Sequence, residues 1–348
     1  DGTNLADVPR ALRGVGCTAC HAIDAITALH NGGLHRADDG VMRGGIGDAV
    51  ATPAHGSMRS PLHDGTVAAS SDACGACHDV LVGTTPVEST YAEWTGSVFG
   101  PHGAAPVSCP ACHMFGSDGP AAALPDMPIR RLHDHGFVGI DQTLTPWPGK
   151  DVQAAGIARD LGASLLPKLC VTASATGVQV EVTLDNIQAG HAFPSGVTHA
   201  RRIWVEVEAT TGAQTLFRSG QFADGEPVSA AADPDLWLLS STLRGADGTE
   251  VLHAWEVAGI ESHLLAPAVT TDPTDPRFYH AQTHTYAVTS VPDRVAIAIH
   301  VEPVGLELLD ELIGSGDLDP AIRDAMPRRT IDTLARTWLH ADGFGCAR

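Results

Sequence analysis

Three copies of one five-residue phrase, C-x-x-C-H, carry the clearest chemistry in this sequence. The phrase is CTACH at residues 17–21, CGACH at 74–78 and CPACH at 109–113. A chain with 8 Cys and 18 His among 348 residues would contain about 0.01 such matches by chance. The three copies therefore indicate a selected unit in which two thiols and one imidazole act together.

The C-x-x-C-H phrase predicts covalent attachment of a c-type haem. Its two thiols can form thioethers with the two haem vinyl groups, and the adjacent His can bind the iron as proximal ligand. A thioredoxin-like site would need one C-x-x-C without a His, and a zinc site usually pairs two C-x-x-C units. The sequence thus predicts three haems, attached by Cys17 and Cys20, Cys74 and Cys77, and Cys109 and Cys112, with His21, His78 and His113 as proximal ligands.

Each iron also needs a sixth ligand unless it is a reaction site. Residues 1–150 hold 10 of the 18 His, which leaves seven after the proximal three are assigned. Methionine is the other option and would raise the reduction potential; Met42, Met58 and Met127 could serve. The surplus of imidazoles predicts bis-His haems. The seven spare residues are His30, His35, His55, His63, His102, His133 and His135.

Histidine and cysteine usage predicts two domains, a triheme cytochrome c domain at 1–150 and a second domain at 151–348. The first is rich in Gly, Pro and Ala and has short apolar stretches such as AIDAITAL (22–29), which we expect to form brief helices around the haems. TPWPGK (145–150) is interpreted as the linker.

The second domain has the alternating pattern of half-buried strands. The strands are predicted in VQVEVTL (178–184), IWVEVEA (203–209) and RVAIAIHV (294–301), with turns at TGAQ (211–214) and GADGTE (245–250). We expect an antiparallel β-sandwich over about 170–304. Two C-terminal helices should follow, one in GLELLDELIG (305–314) and one from Thr330.

One loop of the second domain, within NIQAGHAFPSGVTHARRIWVEV (186–207), could present His191 to a haem of the first domain. Arg201 and Arg202 follow it. They could act as anion clamps in an enzyme or pair with haem propionates, and the second interpretation is favoured.

The two cysteines outside the motifs, Cys170 and Cys346, are expected to form a disulfide. This bond would close a loop worth about 5 kcal/mol in the chain-entropy model. Two free buried thiols, or a bond to another subunit, are the alternatives. Covalent haem attachment and a disulfide both indicate a periplasmic or extracellular location. The sequence begins at Asp1 without a leader, so we interpret it as a mature chain whose signal peptide has been removed.

The chain is acidic, with a formal net charge of −20. This charge argues against nucleic acid or an anionic membrane as partner and favours a redox partner with a basic docking patch. No run of 18 apolar residues is present, so no membrane span is expected. Calcium would suit an acidic, Gly-rich cytochrome, but no EF-hand spacing supports it.

Four stretches resemble multihaem c-type cytochromes of respiratory and extracellular electron transfer: SPLHDGTVAASSDACGACHDV (60–80), TYAEWTGSVF…SCPACHM (90–114), HDHGFVGID (133–141) and GHAFPSGVTHARRIWVEV (190–207). The resemblance implies a haem-bearing N-terminal region and a C-terminal β domain. It also implies His63, His135 and His191 as preferred distal ligands, with His30, His35, His55, His102 and His133 in reserve. Related proteins often carry four or more haems, so a ligand or haem from another subunit is an open alternative.

The leading functional interpretation is an electron-transfer protein that passes single electrons along its haems. No G-x-S-x-G, P-loop or H-E-x-x-H motif suggests another activity. One alternative is a haem enzyme with a five-coordinate iron that acts on a small nitrogen, sulfur or oxygen substrate. Another is a subunit of an extracellular cytochrome filament, and a homo-oligomer is consistent with both.

Overall fold

The chain folds into two compact units. The structure is a computed structural model and describes residues 15–50, 52–144, 148–230 and 232–347. Unit 1 takes its described residues from Asp1–Leu81 and Ser89–Phe137, and unit 2 from Val82–Glu88 and Val138–Arg348. The boundary thus differs from the predicted one at 150, and the predicted linker lies partly outside the described residues. Val138 and Ile140 already pack on the core of unit 2, which explains the earlier boundary.

Unit 1 is built from short elements joined by loops. Three pairs of strands are hydrogen-bonded, β1 with β2, β3 with β4 and β7 with β8, and only the middle pair is parallel. The chain crosses into unit 2 through β5 (Val80–Val82) and β6 (Thr85–Glu88). The other elements are α1 (Cys17–His21), β1 (Ile23–Ile26), β2 (Leu34–Arg36), β3 (Val41–Gly44), β4 (Gly56–Arg59), α2 (Ser71–Gly75), α3 (Thr90–Thr95), α4 (Cys109–His113), β7 (Gly116–Pro120) and β8 (Ile129–His133).

The brief helix predicted at 22–29 is wrong. Residues 23–26 form β1, which pairs antiparallel with β2, and the backbone turns between them at Asn31 and Gly32 with φ of 52° and 72°. Positive φ at both residues of an Asn-Gly pair is the geometry of a tight hairpin turn. The hairpin signal in HNGG thus outweighs the weak helical pattern before it.

Unit 1 has a thin apolar core. Among its described residues, the buried apolar side chains are Ile23, Ala76, Tyr91, Trp94 and Val98. A unit of this length normally needs a contiguous apolar cluster to offset the conformational entropy of folding. Few apolar side chains of unit 1 are therefore available to form a contiguous core among its described residues.

Unit 2 holds the large core and most of the sheet structure. Its further elements are α5 (Lys150–Ser164), β9 (Leu166–Ser174), β10 (Gly177–Asp185), β11 (Arg202–Thr211), β12 (Gln214–Ser219), β13 (Trp237–Leu239), β14 (Ser241–Arg244), β15 (Glu250–Val251), β16 (Gly259–Ser262), β17 (Gln282–Val288), β18 (Arg294–Glu302), α6 (Leu306–Ser315), α7 (Pro320–Asp324), β19 (Arg329–Thr330), β20 (Arg336–Leu339) and β21 (Gly345–Cys346).

Two antiparallel sheets supply one core. The first has the strand order β17-β10-β9-β21, and the second has β12-β11-β18-β19, with β13 on β11 and β20 on β18. The predicted strands are present as β10, β11 and β18, and their alternate apolar residues are buried because successive side chains point to opposite faces. Both sheets contribute these residues to a single apolar cluster. A third sheet, β15-β14-β16, is smaller.

The C-terminal region contains one of the two predicted helices. The helix expected at 305–314 is α6, whereas the second helix, from Thr330, is wrong. Ile331, Leu334 and Trp338 are all buried, as the helical spacing required, but a 3₁₀ turn at Asp332–Leu334 followed by β20 buries them. Backbone pairing of β20 with β18 decides the conformation.

Cys170 and Cys346 form a disulfide between β9 and β21, with a Sγ–Sγ distance of 2.06 Å. It fixes the last described strand to the first sheet. No helix among the described residues is both long enough and apolar enough to cross a membrane.

Candidate haem-binding site

Each C-x-x-C-H motif forms one helical turn. Motifs 1 and 3 are α1 and α4, and Ser108 caps α4 by accepting a hydrogen bond from the Ala111 N–H at 3.1 Å. In motif 2, the N–H groups of Cys77 and His78 both donate to the Cys74 carbonyl, at 3.0 and 2.8 Å. Residues i, i+3 and i+4 share one face of such a turn. Each motif therefore presents two thiols and one imidazole to the same side.

None of the six motif cysteines forms a disulfide, and none is fully buried. Cys17, Cys77 and Cys112 are exposed, while Cys20, Cys74 and Cys109 are half-buried. Free cysteine is otherwise among the most buried residue types, because the thiol behaves as a small apolar group. Each motif has one exposed and one half-buried thiol, and this accessibility is consistent with covalent attachment of a ligand to both.

Motif 2 adjoins motif 3, since the Cys109 N–H donates to the Ser71 hydroxyl at the start of α2 at 2.9 Å. The Cys74 thiol donates a hydrogen bond to Cys109, which raises the pKa of Cys74 and lowers that of Cys109. Burial raises the pKa of Cys20, and the charges of nearby Cys77 and Cys17 add to the effect. Motif 2 thus lies beside both motif 1 and motif 3, which is the arrangement needed for closely spaced haems.

His21 has the environment expected of an axial ligand. Its Nδ1 lies 2.5 Å from the Arg43 carbonyl oxygen. A backbone acceptor at Nδ1 fixes the proton there and leaves Nε2 with a lone pair for a metal. The residues of motif 1 therefore fit a c-type haem.

Two further imidazoles lie near His21. The ring centres of His63 and His135 are 5.5 and 6.0 Å from that of His21. Two axial imidazoles of one iron have ring centres roughly 6 Å apart, because each nitrogen binds at about 2 Å. The structure thus brings together the proximal ligand of motif 1 and two of the three preferred distal residues.

His63 and His135 differ in the atoms they leave available. The Nε2 of His63 lies 2.9 Å from the Cys20 carbonyl oxygen, and its Nδ1 is buried without a hydrogen-bond partner among the described residues. Burial lowers the pKa of His63. His135 is exposed, and its ring lies near those of His21 and Phe137, with the Phe137 plane nearly perpendicular to it.

His133 lies beside motif 3. Its Nδ1 is 3.0 Å from the Met114 carbonyl oxygen, directly after the motif, and β8 pairs it with Gly116. Its Nε2 approaches Gly65 so closely that a Cβ there would lie 2.9 Å from that nitrogen. The absence of a side chain at Gly65 therefore allows the backbone to pack against the His133 ring. Like His21, His133 has a backbone carbonyl oxygen within hydrogen-bond distance of its Nδ1.

The segment that carries His30 is fixed to motif 2. The Asn31 N–H donates to Asp79 O at 2.9 Å, and the Gly32 N–H donates to Ala76 O at 2.6 Å. The Asn31 side chain also forms two hydrogen bonds with the Leu81 backbone. His30 itself is exposed.

Among the described residues of unit 1, His35, His55 and His102 have no described contact with a motif turn. His35 is exposed, with Nδ1 2.6 Å from the Asp24 carboxylate. His55 contacts the neighbouring Gly56 carbonyl at 2.9 Å, and His102 is exposed. His191 lies in unit 2, with Nδ1 2.9 Å from the Ala192 carbonyl oxygen.

Helix α3 braces motifs 2 and 3. The Tyr91 hydroxyl donates to Asp72 at 2.6 Å, and its ring covers Gly75, where any Cβ would collide with it. Trp94 packs on Tyr91 and donates from Nε1 to the Val107 carbonyl at 3.0 Å, just before motif 3. The TYAEW segment thus connects the helix before motif 2 with the segment before motif 3 through side-chain contacts.

Arg201 and Arg202 both have carboxylate partners within unit 2. Arg201 donates two hydrogen bonds to Asp141, at 2.8 and 2.9 Å, and Arg202 donates to Glu307 at 2.6 Å. Both guanidinium groups are nearly buried. They are used to hold the loop before β11, since their charges are already matched by carboxylates.

The sequence reasoning did not anticipate the groups that orient the imidazoles. These are the backbone carbonyls of Arg43 and Met114 and the glycine at position 65. A carbonyl has no side-chain signal, whereas the Asn-Gly pair at 31–32 could have revealed the hairpin. No cluster of three or more His, Cys, Asp or Glu that could hold a separate metal ion occurs among the described residues.

Comparison with known proteins gives a structural match. No protein-family model matches the chain, and no curated protein is significantly similar to it in sequence. A solved structure with a TM-score of 0.62 is a penta-heme cytochrome c552 from Thermochromatium tepidum. The match covers 94% of this chain and 77% of that one, at 16% identity. The chain therefore has the fold of a multihaem c-type cytochrome.

Proposed function

We propose that this protein is a triheme c-type cytochrome that carries single electrons through covalently bound haems. The observation that supports it most directly is the meeting of the three C-x-x-C-H turns in unit 1, with Cys74 beside Cys109 and Cys20 near Cys77. Haems attached at adjoining turns would be close enough to exchange electrons in sequence. The thin apolar core of unit 1 is consistent with macrocycles that complete it.

The haem iron supplies reversible one-electron chemistry, and the chain holds and tunes it. The motif thiols would anchor each ring, and the Arg43 carbonyl orients the His21 imidazole by accepting a hydrogen bond from its Nδ1–H. An imidazole with this hydrogen bond is a stronger donor to a metal, which favours the ferric state. Thus the ring of the motif 1 imidazole is oriented by a backbone acceptor.

The surplus of imidazoles around His21 supports a six-coordinate carrier over an enzyme. His135 is the distal ligand we assign to the haem of motif 1, because its ring is correctly spaced and its nitrogens have no backbone partner in the described residues. His133 is the corresponding choice near motif 3 and His30 near motif 2. His191 is proposed as a ligand in reserve. A fully ligated iron excludes small substrates.

We further propose that the two large sheets of unit 2 form a β-sandwich and that the protein functions outside the cytoplasm. The shared apolar cluster supports the first point, and the Cys170–Cys346 disulfide supports the second. The charge of −20 favours a redox partner with a basic docking surface.

The haem count tests this proposal. Intact-mass spectrometry of protein matured with its haems should give the mass of three haems per chain, and Cys74→Ala with Cys77→Ala should remove one. The matched control is Cys170→Ala with Cys346→Ala, which should keep all three. A wild-type chain with no covalent haem, or with a number other than three, would refute it.

A further inference from the structure

One edge of the first large sheet of unit 2 has no strand beside it. Strand β17 (Gln282–Val288) pairs with β10 along its whole length. Its outer edge forms no backbone hydrogen bond with any residue that the structure describes. In an antiparallel sheet, about half of the N–H and C=O groups of an edge strand point away from its neighbour. The outer edge of β17 is therefore a template to which another strand can add.

The other edge strands of the two large sheets have features that oppose such an addition. β13, β19, β20 and β21 contain only two to four residues. β12 contains Arg218 and pairs with β11 through a register shift. Short strands, charged side chains and irregular pairing are the usual protection of sheet edges in natural proteins.

Strand β17 lacks this protection. Its sequence, QTHTYAV, contains no Asp, Glu, Lys, Arg or Pro, and its pairing with β10 is regular. Thr283, Thr285 and Ala287 are exposed on one face, so small uncharged side chains lie along the outer edge. Another segment approaches at the first residue, where the Gln282 side chain donates to the Leu264 carbonyl at 2.9 Å. The uncovered part of the edge therefore begins at Thr283.

The strand is suited to pairing with a second copy of itself. A two-fold axis makes two copies of β17 antiparallel, and an axis at a residue places the outward-pointing backbone groups of one copy opposite those of the other. With the axis at Thr285, the middle residue, the two Thr285 side chains face each other. His284 then faces Tyr286 of the second copy, and Thr283 faces Ala287. Thr–Thr and aromatic pairs across strands are favourable, and no like charges meet.

We propose that β17 pairs with β17 of a second copy of this chain, so that the first sheet of unit 2 continues across a two-fold axis at Thr285. Such a homodimer is closed, because each copy contributes the same edge. The net charge of −20 opposes association, but salt screens charges that lie farther apart than about 8 Å at physiological ionic strength. The inference does not depend on the number of haems or on their ligands.

Sedimentation velocity of the intact haem-loaded chain, over a range of concentrations at physiological salt, tests the pairing. We expect a reversible equilibrium between monomer and dimer. Thr285→Lys should weaken the dimer by about tenfold, because it places two like charges directly opposite each other at the axis. Within one chain the new charge lies opposite Glu181 of β10, so the monomer can accommodate it.

The matched control is Thr172→Lys. Thr172 is exposed on the same face of the sheet, on β9, and β10 separates it from β17. The same change of charge there should alter the dissociation constant by less than about twofold, since the added charges are far apart in the dimer. The haem spectrum should be the same in both variants and in the wild type.

A cysteine at the axis tests the register. Thr285→Cys should form an interchain disulfide under mild oxidation, because directly opposite residues of paired strands have Cβ atoms within about 5.5 Å. Thr172→Cys is the control and should remain a single chain on a non-reducing gel. This test also holds if Thr285→Lys fails to fold, since Thr and Cys are similar in size.

Three results would overturn the inference. The first is a wild-type chain that stays monomeric at every concentration, which would leave the edge to a strand of another protein. The second is a dimer that Thr285→Lys leaves unchanged although the variant folds. The third is a disulfide that forms as readily in Thr172→Cys as in Thr285→Cys.

Discussion

At the scale of single residues, the covalent part of the site is local and the axial part is not. C-x-x-C-H contains both thiols and the proximal imidazole within one turn, so its spacing predicts its chemistry. A distal ligand can come from anywhere in the chain, and His135 reaches His21 across 114 residues of sequence. Seven spare imidazoles therefore could not be ranked by spacing alone.

The first prediction concerns the sixth ligand of the motif 1 haem. His135→Ala should open one coordination position, so that the ferrous protein binds one carbon monoxide per chain where the wild type binds none. His63→Ala should bind none, since the His63 Nε2 faces the Cys20 carbonyl. The measurement is a carbon monoxide difference spectrum with a stoichiometric titration.

The control for this pair is His102→Ala, which removes an exposed imidazole of the same unit and should leave the spectrum unchanged. Carbon monoxide binding to His63→Ala, together with none to His135→Ala, would reverse the assignment.

The second prediction concerns Arg201, which the sequence suggested as a haem or substrate contact. Its nearly buried guanidinium donates to Asp141 and to the carbonyls of Ser195 and Pro303. Arg201→Ala should lower the free energy of unfolding by about 2–3 kcal/mol, because three acceptors lose their donor. Guanidinium unfolding followed by tryptophan fluorescence measures the loss.

The exposed pair of Arg244 and Glu261, also in unit 2, provides the comparison for Arg201. Arg244→Ala should change the free energy of unfolding by less than about 0.5 kcal/mol, since exposed ion pairs contribute little. If Arg201→Ala left stability unchanged but shifted a haem potential, the arginine would instead act on a haem.

At the scale of elements, burial patterns were readable where they had a strict period of two. Val178, Val180 and Val182 alternate with polar residues, and this alternation correctly predicts the strand β10, in which all three are buried. Helical spacing of apolar residues was a less reliable indicator, as the segment 330–339 shows. Its buried residues 331, 334 and 338 have helical spacing, but that spacing also arises from a 3₁₀ turn joined to a strand.

The third prediction tests the strand β20 by comparing adjacent residues. Trp338→Ala should cost about 3–5 kcal/mol of unfolding free energy, because it leaves a cavity in the core. Leu339→Ala should cost less than about 1 kcal/mol, since a strand turns the next side chain to the opposite face and Leu339 is 42% exposed. Denaturant titrations of both variants provide the measurement.

A helix from Thr330 would place Leu339 on the same buried face as Ile331 and Trp338. Comparable losses for Leu339→Ala and Trp338→Ala would therefore contradict the strand.

At the scale of the whole molecule, the two units differ in what holds them together. Unit 2 has a contiguous apolar core and a disulfide, so its sequence pattern was sufficient to predict three of its strands. Unit 1 has five buried apolar side chains among its described residues. Its loops lack the apolar periodicity from which strands can be predicted. This is why the sequence predicted its chemistry but not its short strands.

The fourth prediction follows from the net charge of −20, to which haem propionates would add. The acidic protein should attract a cationic oxidant such as hexaammineruthenium, so electron transfer from the reduced protein to this complex should be fast at low salt. The rate of this transfer should fall as the salt concentration rises, because salt screens the attraction. Ferricyanide, as the anionic counterpart, should become faster with salt. Stopped-flow kinetics at several ionic strengths measures both slopes, and equal slopes of either sign would contradict a charge-steered carrier.

The central claim, a carrier whose three haems are all six-coordinate, is tested most directly by low-temperature EPR of the ferric protein, first dilute and then concentrated. We predict low-spin signals from three haems under both conditions. A persistent high-spin signal would contradict the claim and indicate an open, reactive iron. A high-spin signal present only in the dilute sample would also contradict it, because the missing ligand would then come from a second chain.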